Sequence, residues 1–266
     1  MTLVTTPVRV LRPVGVSSGA RALPVEAPVA VEVDGLGYAV MMMTPADLEA
    51  FAIGFMLTER LADSAADVIA VEPFEAEVGW IVRVDLAERC RGRMADRVRH
   101  RTSDTGCGLC GIAGLEQLRR PVPAQPPRPE VAPAVLFTAL AGLRDHQPLN
   151  AATGAVHAAA ACDRSGRIIA ACEDVGRHNA LDKLIGRSAG DPVEGFVLVT
   201  SRLSFEMVDK ALVARAPMLV GVSAATDLAV AHAREHRLTL VALARSDAML
   251  VMNDPWGLFA PTPSAR

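Results

Sequence analysis

The sequence predicts an α/β protein: a layered mixed sheet with helices on both faces, preceded by a smaller N-terminal α+β part. In the second half, apolar runs of strand length alternate with helical segments, a spacing typical of βαβ units. Hydrophobic residues make up 51% of the 266 residues, enough for a sizeable core. Residues 121–133 contain six prolines and predict a stiff linker. We therefore expect the N-terminal part over residues 1–120 and the α/β domain over residues 134–266.

The N-terminal part is expected to contain short strands. Residues 1–28 are rich in Val, Pro and Arg without a clear period, so we interpret them as an extended arm with at most one edge strand. Residues 29–42 alternate on both sides of a turn at residues 34–37, which is a hairpin signal. Residues 68–86 indicate two more strands.

A buried helix is predicted after the hairpin. Thr44 suits the N-cap, Pro45 the first helical position and Asp47 the third, a start similar to a capping box. The segment that follows, LEAFAIGFMLTERL, is apolar on nearly every side. We therefore expect this helix to be buried rather than amphipathic.

An arginine-rich segment precedes a pair of cysteines. Residues 91–104 contain five arginines and one histidine. One interpretation is a solvated loop or edge. The other is a cationic rim for an anionic ligand, because arginine binds phosphate well. The segment leads directly into TGCGLCG, where Cys107 and Cys110 lie among three glycines.

The cysteine pattern leaves several kinds of chemistry open. Five cysteines do not form a disulfide framework, and a cytosolic CxxC is more often catalytic or metal-binding. A zinc site needs about four ligands, whereas this region offers two thiols and no second CxxC. A redox pair would follow a strand at a helix start, and two buried structural cysteines are a further alternative. Mobile glycines and upstream arginines, which favour the thiolate, suit a thiol that passes a group between two partners.

The second half predicts a regular succession of elements. A hairpin is expected over residues 155–161 and 167–172. Helices and strands then alternate, so the ligand of the domain should lie beyond the carboxyl ends of the strands. The expected helices are 134–146, 179–185, 204–215 and 227–236, and the expected strands are 196–200, 218–223 and 238–244.

Three strand-to-helix turns carry polar side chains that could line one ligand site. Such turns expose backbone amides, which is where anions dock. The candidate residues are Arg177, His178, Arg202 and Ser223. An internal network of Glu173, Asp174, Arg177 and His178 is the alternative for the first turn. His157 is interpreted as an ordinary core histidine.

Composition argues against several classes of protein. A net charge of −3 does not favour a nucleic-acid-binding protein driven by bulk electrostatics, and 4% aromatic residues do not favour a base-stacking surface. No apolar run reaches the roughly 18 residues that span a bilayer. The first residues lack a signal-peptide pattern, so we expect a cytoplasmic protein without membrane attachment.

Five segments, taken together, resemble the formate dehydrogenase accessory sulfurtransferase family (FdhD). The resemblance extends from about Thr44 to Arg245, and EDVGRHNALDK is its most specific block. The segments are CGLCG, TGAVHAAA, EDVGRHNALDKLIG, SRLSFEMVDKA and SAATDLAVAHAREHRLTLVALAR.

The resemblance implies a sulfurtransferase that uses a cysteine persulfide. Such proteins take sulfur from a cysteine desulfurase and pass it to a bound molybdenum or tungsten cofactor, bis-molybdopterin guanine dinucleotide. That cofactor is then inserted into formate dehydrogenase. The resemblance also implies a cytidine-deaminase-like fold without zinc chemistry, a homodimer, and no permanently bound metal. A non-catalytic cofactor-binding chaperone is the alternative function.

Particular residues follow from the resemblance. Cys107 matches the persulfide carrier, and Cys110 matches an assisting cysteine. The cofactor loop is expected at Leu243, Ala244, Arg245, Ser246, Asp247 and Ala248. The chain departs from the family after the first helix, where Glu59-Arg60 replaces an acidic residue followed by glycine.

Deaminase chemistry is not supported by the motifs. Zinc deaminases carry H-x-E followed downstream by P-C-x-x-C. Here the residue two positions after His157 is Ala159, and the CxxC lies upstream. A zinc-dependent nucleoside hydrolase or deaminase is therefore disfavoured.

Overall fold

The computed structural model describes residues 1–98, 124–189 and 192–259. In the first of these ranges, a two-stranded hairpin precedes a four-stranded mixed sheet with strand order β4-β3-β6-β5, in which β3 and β6 are parallel. The elements of this part are β1 (Leu3–Arg12), β2 (Gly15–Pro24), β3 (Ala27–Val33), β4 (Leu36–Met43), α1 (Leu48–Thr58), β5 (Val68–Ala76), β6 (Gly79–Leu86) and α2 (Glu88–Val98).

The rest of the described chain forms a six-stranded mixed sheet with order β12-β11-β10-β9-β7-β8. Strands β9, β10 and β11 are parallel, whereas β7 is antiparallel to both of its neighbours. The elements are α3 (Pro133–Gly142), α4 (Pro148–Thr153), β7 (His157–Cys162), β8 (Ile168–Asp174), α5 (Arg177–Arg187), β9 (Phe196–Val199), α6 (Phe205–Val213), β10 (Met218–Gly221), α7 (Asp227–Glu235), β11 (Thr239–Ala242) and β12 (Leu250–Asn253).

Helices cover both faces of this sheet, as the sequence predicts. Successive strand residues point to opposite faces. In β9, Val197 and Val199 therefore join the core cluster with α5, α6 and α7, whereas Phe196 and Leu198 pack with α3. Both faces of this strand are buried, which explains its uninterrupted apolar run.

The first residues form two strands rather than the arm with one edge strand that we expected. β1 and β2 pair in antiparallel register from Leu3 with Pro24 to Arg12 with Gly15. Both faces of the hairpin are largely exposed. With neither face fully buried, no apolar alternation marks these strands, and the period-based prediction missed the second one.

The predicted start of α1 is also wrong. The helix begins at Leu48, and its N-cap is Asp47 in a left-handed conformation, with φ of 52°. Thr44 serves a different purpose, because its backbone N–H donates to the Asp174 carboxylate at 3.1 Å and its carbonyl accepts from Lys183 at 2.8 Å. Tertiary contacts with α5 and β8 thus hold this residue outside the helix.

The arginine-rich segment is helical where it is described, not a loop. α2 ends at Val98, and residues 99–104 lie outside the described residues. Arg93 forms two hydrogen bonds with Asp63, at 2.9 and 2.6 Å. This arginine is therefore engaged in an ion pair instead of lining a phosphate site.

Two helices join the N-terminal part to the larger sheet. α1 packs against α5 through glycines, since a Cβ at Gly54 would overlap the Asp182 carbonyl and a Cβ at Gly186 would overlap the Ala50 carbonyl. This close approach brings the two backbones into contact. The proposed domain limits, including the linker at 121–133, stay predictions.

Among the described residues, no helix combines the length and the apolar character needed to span a membrane.

Candidate functional site

The topology brings the predicted polar turns to one edge of the six-stranded sheet. Strands β8, β9, β10 and β11 all run in the same direction, because β8 and β9 are both antiparallel to β7. Their carboxyl ends therefore meet at one edge. We call this the carboxyl edge, and it includes the turns at 175–178, 200–204, 222–226 and 243–248.

Three of the helices in the described part of the chain begin at this edge. α5 starts after Gly176, α6 after Ser204 and α7 after Thr226. The N-terminus of a helix carries partial positive charge and exposes N–H groups. Three such ends along one edge favour an anionic ligand, which agrees with the prediction for these turns.

Arg177 and His178 lie at the start of α5 and are half-buried. Within the described part of the chain, Arg177 Nε and His178 Nε2 are buried without a hydrogen-bond partner, and Ser204 Oγ is a third such atom. Unpartnered buried polar atoms are costly, and a ligand is one means of satisfying them. Two of the predicted candidates, Arg177 and His178, thus carry polar atoms that a ligand could satisfy.

The two histidines at the edge are held uncharged. Burial lowers the pKa of His178 to about 3, and the nearby charges of Lys210 and Arg177 act in the same direction. Burial also lowers the pKa of His157, and Arg177 adds to this effect. At neutral pH these rings offer hydrogen bonds rather than positive charge, so Arg177 and Arg202 supply the cationic character.

His157, which the sequence analysis assigned to the core, lies at the candidate site. It opens β7, pairs in register with Asp174, and places Nδ1 3.4 Å from Thr200 Oγ1. Because β7 runs against its neighbours, its first residue lies at their carboxyl ends. The predicted hairpin register would have revealed this position.

The predicted cofactor loop, residues 243–248, follows β11 at the same edge. Leu243 has a φ of 49°, a strained conformation for a residue with a branched side chain. Its N–H donates to the Ser223 carbonyl at 3.0 Å, and the Arg245 guanidinium donates to the Val222 carbonyl. These bonds fix the loop against the turn that follows β10, so Ser223 and the loop are brought together.

A cavity of about 330 Å³ opens next to the turns that follow β9 and β10. Its lining includes Gln147, Asn150, Thr200 and Val222. Gln147 is only 7% exposed, and its Nε2 has no hydrogen-bond partner among the described residues. Sequence reasoning missed Gln147, because it lies between two short helical segments that carry no motif.

A buried ion pair stabilises the carboxyl edge. Lys183 Nζ lies 2.6 Å from Asp174 Oδ2, and both side chains are fully buried. Asp174 also accepts from Gly176 N–H at 2.7 Å and from Asn179 Nδ2 at 3.1 Å. The alternative network of Glu173, Asp174, Arg177 and His178 is therefore wrong, because the partner of Asp174 is Lys183.

Glu173 has a separate role in the same support. Its two carboxylate oxygens accept from the backbone N–H groups of Leu149 and Asn150 at 2.8 and 2.7 Å. These amides lie in the first turn of α4, where a carboxylate is favourable. Glu173 thereby attaches α4, and with it one wall of the cavity, to the sheet.

Cys107 and Cys110 lie outside the described residues. The three cysteines that are described, Cys90, Cys162 and Cys172, are all buried. Burial raises the pKa of Cys162 to about 12 and that of Cys172 to about 11, and it also raises the pKa of Cys90. Thiols of this kind are poor nucleophiles.

The residues at and next to the carboxyl edge offer hydrogen-bond donors that suit an anionic ligand. Arg177, Gln147 and Ser204 offer unpartnered donors, and three helix N-termini add partial positive charge. The cavity could accept an apolar or aromatic portion. An edge of this kind is typical of α/β proteins that bind nucleotides or related ligands beyond their strand ends.

Comparison with known proteins identifies the particular group. A model of the FdhD/NarQ family matches residues 24–258, and the chain belongs to this family. It is 41% identical to the sulfur carrier protein FdhD of Variovorax paradoxus (strain S110) over 255 residues, which cover 95% of this chain and 92% of that protein. It is 43% identical over 235 residues to the sulfur carrier protein FdhD of Agrobacterium fabrum (strain C58), covering 87% of each.

A solved structure shares the fold. A chain from Desulfotalea psychrophila, described as a formate dehydrogenase accessory protein, superposes with a TM-score of 0.75. The match covers 96% of this chain and 99% of that chain at 24% identity. The mixed α/β architecture is therefore confirmed by an independent structure.

Proposed function

We propose that this protein is a sulfur carrier that supports the maturation of formate dehydrogenase. Its relatives carry the name sulfur carrier protein, and two of them match 86% or more of this chain at 41% and 42% identity. The finer proposal is that sulfur arrives as a persulfide on Cys107 and leaves for a molybdenum or tungsten cofactor. The observation that carries this proposal is the distribution of thiol reactivity along the chain.

Burial excludes three of the five cysteines as sulfur carriers and leaves two candidates. Cys90, Cys162 and Cys172 are buried and have raised pKa values, so the thiolate that attacks a persulfide is disfavoured at each. Cys107 and Cys110, set among glycines in TGCGLCG, are then assigned the chemistry.

Sulfur loading is a thiol exchange that needs no oxidant. The Cys107 thiolate attacks the outer sulfur of a persulfide on a cysteine desulfurase. A new S–S bond forms at Cys107, and the desulfurase cysteine leaves as a thiolate. The result is Cys107–S–SH, with one sulfur atom gained and no net change in oxidation state.

Delivery can be completed by Cys110. Its thiolate attacks the inner sulfur of the persulfide, forms a Cys107–Cys110 disulfide and releases HS⁻, which would be the sulfur supplied to the metal of the bound substrate. The two thiols provide the two electrons that reduce the transferred sulfur. A dithiol reductant must then restore both cysteines.

The carboxyl edge is our candidate site for the recipient of this sulfur. The recipient is a substrate, bis-molybdopterin guanine dinucleotide with molybdenum or tungsten, and it carries several phosphates and two guanines. Arg177, Arg202 and the loop at 243–248 would contact the phosphates. Gln147, within the cavity, offers donors and an acceptor to a polar ring edge.

The other parts of the proposal rest on the family resemblance. The partners would be a cysteine desulfurase as donor and a formate dehydrogenase as recipient of the cofactor. A homodimer and a cytoplasmic location complete the proposal. A chaperone that binds the cofactor without carrying sulfur is the second candidate, because the carboxyl edge could bind the cofactor without any thiol.

Mass spectrometry of peptides tests the proposal. After incubation with a cysteine desulfurase and cysteine, we expect a reductant-labile gain of one sulfur on the Cys107 peptide. Cys107→Ala should remove this gain, keep the fold, and fail to activate formate dehydrogenase. Cys110→Ser should retain the sulfur gain on Cys107 and release it more slowly.

Two outcomes separate the candidate functions. Cys172→Ala, a variant of a buried thiol, is the matched control and should load sulfur normally. Full activation of formate dehydrogenase by Cys107→Ala would contradict the carrier model and favour the chaperone.

A further inference from the structure

Three metal-ligating side chains meet at the C-terminal end of α7, and the proposed sulfur transfer does not use them. The sequence there is HAREH, which places His232, Glu235 and His236 at positions i, i+3 and i+4. Residues at this spacing share one face of a helix. One ligand atom from each side chain lies within 4.8 Å of the other two.

The dimensions of this group suit a single ion. Nitrogen and carboxylate ligands bind Zn²⁺ at about 2.0–2.2 Å in a tetrahedral arrangement, so neighbouring ligand atoms lie roughly 3.5 Å apart. The ligand atoms lie within 4.8 Å of one another, so they must approach each other by up to roughly 1.3 Å to bind one ion. Glu235 is exposed and His236 partly so, which leaves both side chains free to rotate toward an ion.

His232 is positioned more firmly than its two companions. Its side chain is 8% exposed, and its ring lies 4.3 Å, between centroids, from that of Phe205. Nε2 is 3.4 Å from Asp209 Oδ1. A carboxylate behind a histidine orients the ring and makes it a better metal ligand.

Asp209 is suited to this supporting role. It accepts two hydrogen bonds from Arg60, at 2.9 and 2.8 Å, so its charge is already paired. It therefore serves as an acceptor for His232 rather than as a ligand. The site also lies at the C-terminus of α7, where the helix dipole favours a cation.

We propose that His232, Glu235 and His236 bind a divalent transition-metal ion, with Zn²⁺ or Co²⁺ as the ions of matching ligand chemistry. Two imidazoles and one carboxylate suit such ions and not Mg²⁺ or Ca²⁺, which prefer oxygen ligands alone. The site uses no cysteine ligand and differs from the expectation of a protein without a bound metal. Its occupation would brace α7 against α6, which carries Asp209.

Cobalt titration tests the site in the full-length chain. The parent protein carries Cys107→Ser and Cys110→Ser, so that the thiols of the CxxC pair do not compete for the ion. We expect one equivalent of Co²⁺ to bind, with the visible absorption of nitrogen and oxygen ligands. Glu235→Gln and His236→Ala should each weaken binding about tenfold or more, because loss of even an outer partner typically costs that much.

A matched control and a second readout keep the test decisive. His146→Ala removes an exposed histidine away from α7 and should leave binding unchanged. Co²⁺ should raise the unfolding temperature of the parent and not that of His236→Ala. The proposal is overturned if the parent binds no Co²⁺, or if His146→Ala weakens binding as much as His236→Ala does.

Discussion

His178 is an ionisable side chain that the fold keeps uncharged. Its pKa is about 3, whereas an unfolded histidine titrates near 6.5. Burial is the largest cause of this low pKa, and Lys210, Arg177 and His157 also disfavour protonation of the ring. The His178 ring at the carboxyl edge is therefore uncharged over the physiological pH range in which a ligand would bind.

The depressed pKa predicts a dependence of stability on pH. Between about pH 6.5 and 3 the unfolded chain binds a proton at His178 and the folded chain does not. The contribution of this residue to the free energy of unfolding is fully present above pH 6.5. It decreases by roughly 1.4 kcal/mol for each pH unit as the pH falls below that value. In urea unfolding between pH 4 and 6, His178→Asn should show a shallower pH slope than wild type.

A surface histidine provides the control for that measurement. His146 is exposed, so His146→Asn should retain the wild-type slope. Equal slopes for wild type and His178→Asn would mean that this ring is not held neutral in the folded state.

At the scale of elements, the contact between α1 and α5 depends on two glycines. A methyl group at Gly54 would overlap the Asp182 carbonyl, which belongs to backbone and cannot move independently. Gly54→Ala should therefore separate the helices and lower the free energy of unfolding by several kcal/mol, in the range of severe core changes. Chemical denaturation measures the loss.

The matched control is a helical glycine without close neighbours. A Cβ at Gly92 in α2 would meet no described atom within 4 Å. Gly92→Ala should stabilise the protein by up to about 1 kcal/mol, because alanine favours a helix. A similar loss of stability in both variants would contradict the role assigned to Gly54.

Sequence patterns predicted those elements that bury apolar residues with a regular period. The strands from β3 to β11, the polar turns and the shared edge follow from alternation and from βαβ spacing. The exposed hairpin β1–β2 lacks such a signal, and α2 was hidden by its charged residues. Gln147 and His157 required tertiary structure, because their placement depends on which elements pack together.

The departure at Arg60 shows how local and tertiary preferences combine. Its φ of 57° is a conformation that glycine adopts readily, and the family resemblance implies glycine there. In this chain the arginine forms the pair with Asp209 at 2.8 Å. Arg60 thus adopts a less favourable backbone conformation than glycine would, and it forms an ion pair next to the proposed metal site.

For the whole molecule, buried polar contacts join the two sheets into one structure. Lys183 connects Asp174 with the Thr44 carbonyl, and Lys210 connects Asp182 with Thr58 Oγ1 at 2.9 Å. These contacts link residues on either side of the proline-rich segment. The two parts should therefore unfold together rather than as independent domains.

Two tryptophans allow this cooperativity to be measured. Trp80 lies in β6, and Trp256 lies near α7 with Arg237 over its ring. Two variants, each of which retains only one of the two tryptophans, should show the same urea midpoint of unfolding. Lys183→Met should lower both midpoints together, by about 3–5 kcal/mol in stability, because it leaves Asp174 buried and unpaired.

Separate transitions would show that the linkage is weak. If the Trp80 signal changed at a lower urea concentration than the Trp256 signal, the N-terminal sheet would be an independent unit. If Lys183→Met left the urea midpoints of both tryptophan signals unchanged, the buried ion pair would not hold the two sheets together.

The bond between Lys183 and Thr44 also has a consequence for how the protein is made. Its two residues are 139 positions apart in the chain. During synthesis, the N-terminal sheet and α1 leave the ribosome long before α5 is available to cover Gly54. The apolar face of α1 therefore stays exposed in the nascent chain until α5 has been synthesised. We expect molecular chaperones to matter most during that interval.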